Sequence, residues 1–303
     1  MFYKKYDELT ANLTKTFRSK KTLSDTAFQF AELALSLDQK NPFEFNLVGL
    51  AKFGEMRCYE KLEDPQKLIR AAISAARFFI KSAKFNYEIS QSLHDTWADP
   101  LSDGIHCYRS AILTLKATKK YNLACFTLNE LAEAESFFNQ HHNAGNAYEE
   151  SSRLCAEHSL HPRIFIDSLL NCVECYTKSK RFDLALFTVM SFFVPLEVEY
   201  SNLIEQSSFL KNKMNELCGT KSLLFICNNQ FSEALNVTET QIVDGEMRNL
   251  ILKFSELIQS QNVPGIKVFI EEIKNNKRLS KYMLNIIERH YQSLEEKTTE
   301  KKS

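Results

Sequence analysis

The sequence predicts an all-α protein of stacked helical hairpins, with about twelve to fourteen helices in this length. Three observations indicate this fold. The 303 residues include only seven glycines and six prolines. Between the prolines, apolar residues recur at i, i+3, i+4 and i+7, the spacing of an amphipathic helix. A nine-residue phrase also occurs twice, as KKYNLACFT from Lys119 and as KRFDLALFT from Lys180, which is typical of a reused structural unit.

Composition and charge narrow the functional classes. Lys plus Arg equals Asp plus Glu at 38 each, so the basic excess that nucleic-acid binders carry is absent and no nucleic-acid partner is expected. No apolar run reaches the length of about 20 residues that a membrane span needs. The N-terminus, MFYKKYDELTANL, does not match a signal peptide because charges interrupt it. We therefore predict a cytoplasmic protein with reduced cysteines and no transmembrane segment.

The prolines are predicted to mark helix boundaries, because proline breaks a helix interior. They are Pro42, Pro65, Pro100, Pro162, Pro195 and Pro264. Asp64 and Pro65 fit the N-cap and first position of a helix whose apolar stripe runs from Ile69 to Ala83. A second stripe beside it, through Phe78, predicts a helix sandwiched between two neighbours. Later stripes run from Met247 to Ile258 and from Met283 to Leu294.

The repeated phrase follows a rule: an aromatic residue, an alanine three positions later and a bulky residue seven positions later. The matching sets are Tyr121, Ala124 and Leu128; Phe182, Ala185 and Val189; and, more weakly, His141, Ala144 and Tyr148. In tetratricopeptide-type repeats this pattern begins the second helix of a hairpin, where the alanine allows close helix approach. We predict one such domain over residues 1–294, and a charged, disordered tail over 295–303.

One group of residues has the composition of a zinc site. Cys155, His158, His161, Cys172 and Cys175 lie within 21 residues, and Cys172 and Cys175 form a CxxC pair. The alternative is that the cysteines are small core residues, since both stretches are helical in pattern. We favour the second interpretation and predict no metal, no cofactor and no catalytic residue. Glycine-rich phosphate loops and common hydrolase motifs do not occur in the sequence.

Aromatic residues are the unusual feature of the composition, with 23 Phe and 11 Tyr but a single Trp. Adjacent phenylalanines point about 100° apart on a helix. One ring of each pair therefore faces outward unless neighbours cover both sides, and an outward ring suits a protein partner. We predict Phe78, Trp97, Phe192 and Phe193 as partner-binding residues.

Several blocks of the chain resemble a known family. FYKKYDELTANLTKTFRSKKTLSDTAFQFAELALSL, EDPQKLIRAAISAARFFIKSAKFN, LSDGIHCYRSAILTLKATKKYNLACFTLNELAEA and the run from Met247 to Leu294 are similar, in this order, to the forty-kilodalton huntingtin-associated protein (factor VIII intron 22 protein) family. The resemblance implies a tetratricopeptide-like α-superhelix related to vesicle-fusion adaptors of the SNAP type. It also implies a 1:1 complex with huntingtin, held between the HEAT-repeat domains of huntingtin, in which each partner stabilises the other.

The same resemblance implies a link to early endosomes through a small GTPase, influence on their movement, and the early endosome and nucleus as further locations. The chain differs from vertebrate members, which have a Gly/Ala-rich leader and a long proline-rich insert. Only VPLEVEYSN, from Val194, occupies the junction where the insert would lie, so a compact invertebrate-type member is expected.

The alternative function is a SNAP-like vesicle-traffic adaptor that binds fusion machinery or a small GTPase independently of huntingtin. Its sequence feature is a basic N-terminal region. That region contains Lys4, Lys5, Lys15, Arg18, Lys20 and Lys21.

Overall fold

The computed structural model describes residues 2–14, 19–276 and 279–300. These residues form fourteen α-helices and one short 3₁₀-helix, Pro42–Glu44, and contain no strand. Neighbouring helices pack as successive hairpins, so the predicted all-α fold of stacked hairpins and the predicted number of helices are confirmed. Among the described residues, no helix combines the length and apolar content that crossing a membrane requires.

The chain divides into two compact units, Met1–Leu131 and Ala132–Ser303. In the first unit the helices are α1 (Phe2–Thr14), α2 (Lys20–Leu35), α3 (Phe45–Lys61), α4 (Pro65–Ile89) and α5 (His94–Ala117). The unit boundary falls within α6 (Tyr121–Phe137). The second unit contains α7 (His141–Glu157), α8 (Pro162–Lys178), α9 (Phe182–Gln206), α10 (Ser208–Cys227), α11 (Phe231–Thr240), α12 (Gly245–Gln259), α13 (Val263–Asn276) and α14 (Lys281–Glu300). A single domain over residues 1–294 stays a prediction.

Helix α4 forms as the sequence predicts. The Asp64 carboxylate accepts a hydrogen bond from the Lys67 backbone N–H at 3.1 Å, and Pro65 is the first helical residue. The helix packs against α3 on one side and α5 on the other, and its alanines are buried on both flanks. This confirms that α4 is sandwiched between two neighbours.

The repeated phrase begins a helix at each predicted place. Tyr121, His141 and Phe182 are the first residues of α6, α7 and α9, and the alanines three positions later have no exposed surface. The structure adds a fourth, partial match, which the sequence rule excludes because Thr238 stands at the position of the bulky residue. Phe231 begins α11, and Ala234 is buried three positions later.

A common turn precedes these helices. The residue two positions before the first helical residue has a positive φ, for example 57° at Lys119 and 60° at Lys180. The next N–H then bonds the carbonyl five residues earlier, as Arg181 does to Tyr176 at 2.9 Å. This is a Schellman C-cap, which usually contains glycine. Positive φ occurs at Glu63, Lys119, Asn139, Ser159, Lys180, Asn229 and Gln261, none of them glycine.

Two prolines do not mark boundaries, contrary to the prediction. Pro100 lies inside α5 and Pro195 inside α9, so VPLEVEYSN is helical. A proline leaves the carbonyl four residues earlier without its usual donor. At Pro100 this carbonyl belongs to Thr96, and the Asn86 side-chain amide donates to it at 2.7 Å.

Helix α14 includes part of the charged C-terminal segment, because it continues to Glu300, and a disordered tail over residues 295–303 stays a prediction. The Thr298 hydroxyl bonds the Leu294 carbonyl, and Lys180 pairs with Glu296 at 2.5 Å. Residues 301–303 lie outside the described residues. Near its start, α14 packs on α8, where the Tyr282 hydroxyl donates to the Asn171 side chain at 2.8 Å.

Candidate protein-binding surface on helix α9

Helix α9 has an exposed apolar stripe along one face. Phe187 is 67% exposed, Met190 45%, Val194 59% and Val198 70%. The spacings of three, four and four residues place these side chains on one side of the helix. We refer to Phe187, Met190, Val194 and Val198 as the α9 stripe.

The opposite face of α9 is buried in the second unit. Leu196 is fully buried, and Phe193 is 2% exposed. The Lys221 ammonium lies 3.9 Å from the centre of the Phe193 ring and donates to the Gln241 side chain at 3.3 Å. Burial lowers the pKa of Lys221, an effect that nearby Cys218 and Glu197 oppose. Helix α9 is therefore apolar on two opposite faces, and the fold covers one of them.

A groove lies beside the stripe within the second unit. Its volume is about 720 Å³, and helix α10, the end of α11 and the residues before α12 form its other walls. Three carboxylates line it, those of Glu197, Glu205 and Asp244, against a single lysine, Lys211. The groove border of the α9 stripe is therefore acidic.

The two predicted partner-binding residues of the first unit are half-buried. Phe78 packs against the N-terminal core, with its ring centre 6.2 Å from that of Phe45. Trp97 lies edge-on to Tyr87 at 5.2 Å, and its indole N–H donates to the Gln91 carbonyl at 3.4 Å. Both rings are held by contacts within the unit and present only part of their surface.

The two predicted residues of α9 lie away from the stripe. Phe192 is half-buried, and its ring packs edge-on against Phe165 at 5.9 Å. Phe193 is a core residue, so we correct the prediction that its ring faces a partner. The outward ring on this helix belongs to Phe187, which the sequence reasoning missed. The signal was present, because Phe187 is the phenylalanine that the repeated phrase shares with Phe126, and both are exposed.

The structure distributes the Cys/His group between core and surface. Cys155, Cys172 and Cys175 are buried, whereas His158 and His161 are exposed. The Cys172 thiol donates to the Gly145 carbonyl at 3.3 Å, and burial raises its pKa well above the usual value. Among the described residues, no three His, Cys, Asp or Glu side chains are placed to hold a metal ion.

Comparison with known proteins adds no assignment. No family model and no curated protein matches this chain.

Proposed function

We propose that this chain is a non-catalytic interaction protein whose partner is huntingtin, bound in a 1:1 complex. The α9 stripe is the observation that supports an interaction role most directly. Four neighbouring apolar side chains, 45% to 70% exposed, follow one face of a long helix. Contiguous exposed apolar surface of this kind commonly marks a protein-binding site, where helix-spaced side chains insert into a partner. The resemblance of the sequence blocks supports huntingtin as the partner.

The chemistry of three buried thiols argues against cysteine-based catalysis or metal binding by them. Burial raises the pKa of Cys58, Cys107 and Cys218 to about 12, so these thiols stay protonated near neutral pH. A nucleophilic or metal-binding cysteine needs the thiolate form. These cysteines therefore serve as small core residues.

Size-exclusion chromatography tests the proposal. The chain is expressed alone and together with full-length huntingtin from the same organism. A stoichiometric complex that elutes ahead of either protein alone is expected. If the chain is a stable monomer that never co-elutes with huntingtin, the proposed partner is wrong. The alternative, a vesicle-traffic adaptor that acts without huntingtin, would then be tested first.

The proposed cellular role follows from the same partner. We place the complex in the cytoplasm and at early endosomes, with a small GTPase as a further partner and the nucleus as a further location. Two members of the basic N-terminal region, Lys15 and Arg18, lie outside the described residues, whereas Lys4, Lys5 and Lys20 are exposed. Imaging of the tagged chain with and without huntingtin tests this role. Endosomal recruitment that persists without huntingtin would favour the adaptor alternative.

A further inference from the structure

We infer that the α9 stripe binds an amphipathic helix whose apolar face is bordered by lysine or arginine residues. This inference rests on the proposed role as an interaction protein, but it does not require huntingtin to be the partner. It specifies the chemistry of the segment that covers Phe187, Met190, Val194 and Val198.

The dimensions of the stripe match a short helix. From Phe187 to Val198 the helix rises about 16 Å, at 1.5 Å per residue, which corresponds to about three turns. The exposed side chains repeat every three or four residues, so they interdigitate with apolar side chains of the same spacing on a second helix. The Ser191 carbonyl on this exposed side lacks the N–H that residue 195 would normally supply, because residue 195 is proline.

The charges around the stripe select a basic partner. Helix α9 contains Asp183, Glu197, Glu199 and Glu205 but no lysine or arginine. Asp183 pairs with Arg181 at 3.0 Å. In the part of the chain that the structure describes, the other three carboxylates form no ion pair within 4.0 Å, although Glu197 interacts electrostatically with Lys221. An apolar stripe on a helix whose charged side chains are all acidic attracts a cationic helix and repels an anionic one.

The same charges argue against two other occupants. Two copies of this chain paired through their stripes would bring Glu197 and Glu199 of one copy near like charges of the other, which opposes self-association. An anionic lipid surface would also be repelled by these residues. A protein helix with basic borders is the occupant that suits both the apolar and the charged parts of the surface.

A peptide-binding experiment on the full chain tests the inference. The probe is a fluorescent helix-forming peptide of about 18 residues, with leucines at helical spacing and lysines along both borders of the leucine face. The matched peptide has glutamate in place of every lysine. We expect the lysine peptide to bind, with an affinity that falls as salt is raised, and the glutamate peptide not to bind. Equal binding of the two peptides, or no binding of either, would overturn the inference.

Surface variants locate the binding site. Phe187→Ser/Val194→Ser removes two exposed side chains and should weaken lysine-peptide binding by about tenfold or more, since buried apolar anchors dominate such interfaces. Glu197→Lys/Glu205→Lys should reverse the preference between the two peptides. Phe28→Ser/Leu113→Ser, at positions 62% and 67% exposed in the first unit, is the matched control and should change nothing. Circular dichroism checks that all variants remain helical. If the control and the stripe variant weaken binding equally, the stripe is not the site.

Photo-crosslinking separates this inference from the choice of partner. A benzoylphenylalanine at position 194 is introduced into the chain that is co-expressed with huntingtin. If the complex forms, a crosslink to a helix with basic borders supports the inference, whereas a crosslink to an acidic segment or to a second copy of the chain contradicts it. If no complex forms, the proposed partner fails, and the peptide experiment still decides the inference.

Discussion

Replacing Gly145 with alanine should destabilise the second unit, because the added methyl group meets a ring that has little room to move. A Cβ at Gly145 would lie 2.5 Å from Cε1 and 2.7 Å from Cδ1 of Tyr176. The Tyr176 side chain is 1% exposed. Its hydroxyl shares its single proton between the Glu149 carboxylate at 2.7 Å and the Asn146 side-chain oxygen at 2.9 Å. Relieving the clash by moving the ring therefore strains or breaks both hydrogen bonds.

The size of the effect follows from three contributions. Overpacking a well-filled core costs about 1–3 kcal/mol. Loss of the hydrogen bond from Tyr176 to the charged Glu149 adds about 1.5–3 kcal/mol if the ring leaves its place. Alanine in place of glycine within a helix returns about 1 kcal/mol. We expect Gly145→Ala to lower the free energy of unfolding by about 1.5–5 kcal/mol.

Urea unfolding followed by far-ultraviolet circular dichroism measures this change. The control is Gly245→Ala, because a Cβ there meets no heavy atom within 4 Å. It should leave stability unchanged or raise it by up to about 1 kcal/mol. The double variant Gly145→Ala/Tyr176→Leu lacks the clashing ring. The losses of stability measured for Gly145→Ala alone and for Tyr176→Leu alone should therefore sum to more than the loss measured for the double variant, by about 0.5–3 kcal/mol. Equal stability of the Gly145→Ala and Gly245→Ala variants would refute the reasoning.

Three further predictions concern pH, turn geometry and thiol chemistry. Burial, with a smaller effect of Lys297, lowers the pKa of His290 to about 4, whereas the unfolded chain has the ordinary value of 6.5. The stability that neutral His290 contributes should therefore be fully present above pH 6.5, and the free energy of unfolding should fall by about 3 kcal/mol as the pH drops to 4. In urea unfolding at a series of pH values, His290→Leu should flatten this decrease. His158→Leu, at an exposed position, is the control and should not flatten it. Lys119 has a φ of 57°, in the left-handed region. Lys119→Gly should therefore leave the urea midpoint unchanged or raise it, whereas Lys119→Val should lower the free energy of unfolding by about 1–2 kcal/mol. Equal midpoints for these two variants would contradict a left-handed turn. All eight cysteines are buried. Ellman's reagent at pH 8 should therefore label the thiols of the native protein slowly, and it should label eight thiols per molecule in the urea-unfolded protein. One rapidly labelled thiol in the native protein would contradict this burial.

Much of the fold could be predicted from sequence because local signals agree with the hairpin stack. Asp64 and Pro65 form the start of α4, and the phrase starting with Tyr121 and Phe182 begins two helices. The turns before these helices could not be located from composition. Their positive φ residues are Lys, Asn, Ser, Glu or Gln, so the glycine that usually signals a Schellman turn is missing.

The prolines at 100 and 195 mislead because the carbonyl that each of them frees can be satisfied by a donor that no helix-spaced sequence pattern shows. Proline disfavours a helix interior because it frees the carbonyl four residues earlier and its ring clashes with that carbonyl. Asn86 satisfies that carbonyl in α5, and this donor lies ten residues from Thr96, beyond any local pattern. In α9 the freed carbonyl belongs to Ser191, an exposed residue, where water can serve as donor.

The candidate surface was only partly predictable, because periodicity does not tell which of two apolar faces is covered. Helix α9 has apolar residues nearly all round, and the sequence pattern placed Phe192 and Phe193 at the surface. The fold instead covers Phe193 with Lys221 from α10 and leaves Phe187 exposed. Only the positions of the neighbouring helices separate these two outcomes.

The four helices that begin with the repeated pattern provide an internal comparison of what folding requires. All four keep the buried alanine, at Ala124, Ala144, Ala185 and Ala234. The position two residues after that alanine is exposed in all four, and it is phenylalanine in α6 and α9 but asparagine in α7 and α11. The hairpin therefore forms without an aromatic residue there. Exposed Phe126 and Phe187 therefore do not serve the core, and for Phe187 this agrees with the proposed interaction role of the α9 stripe.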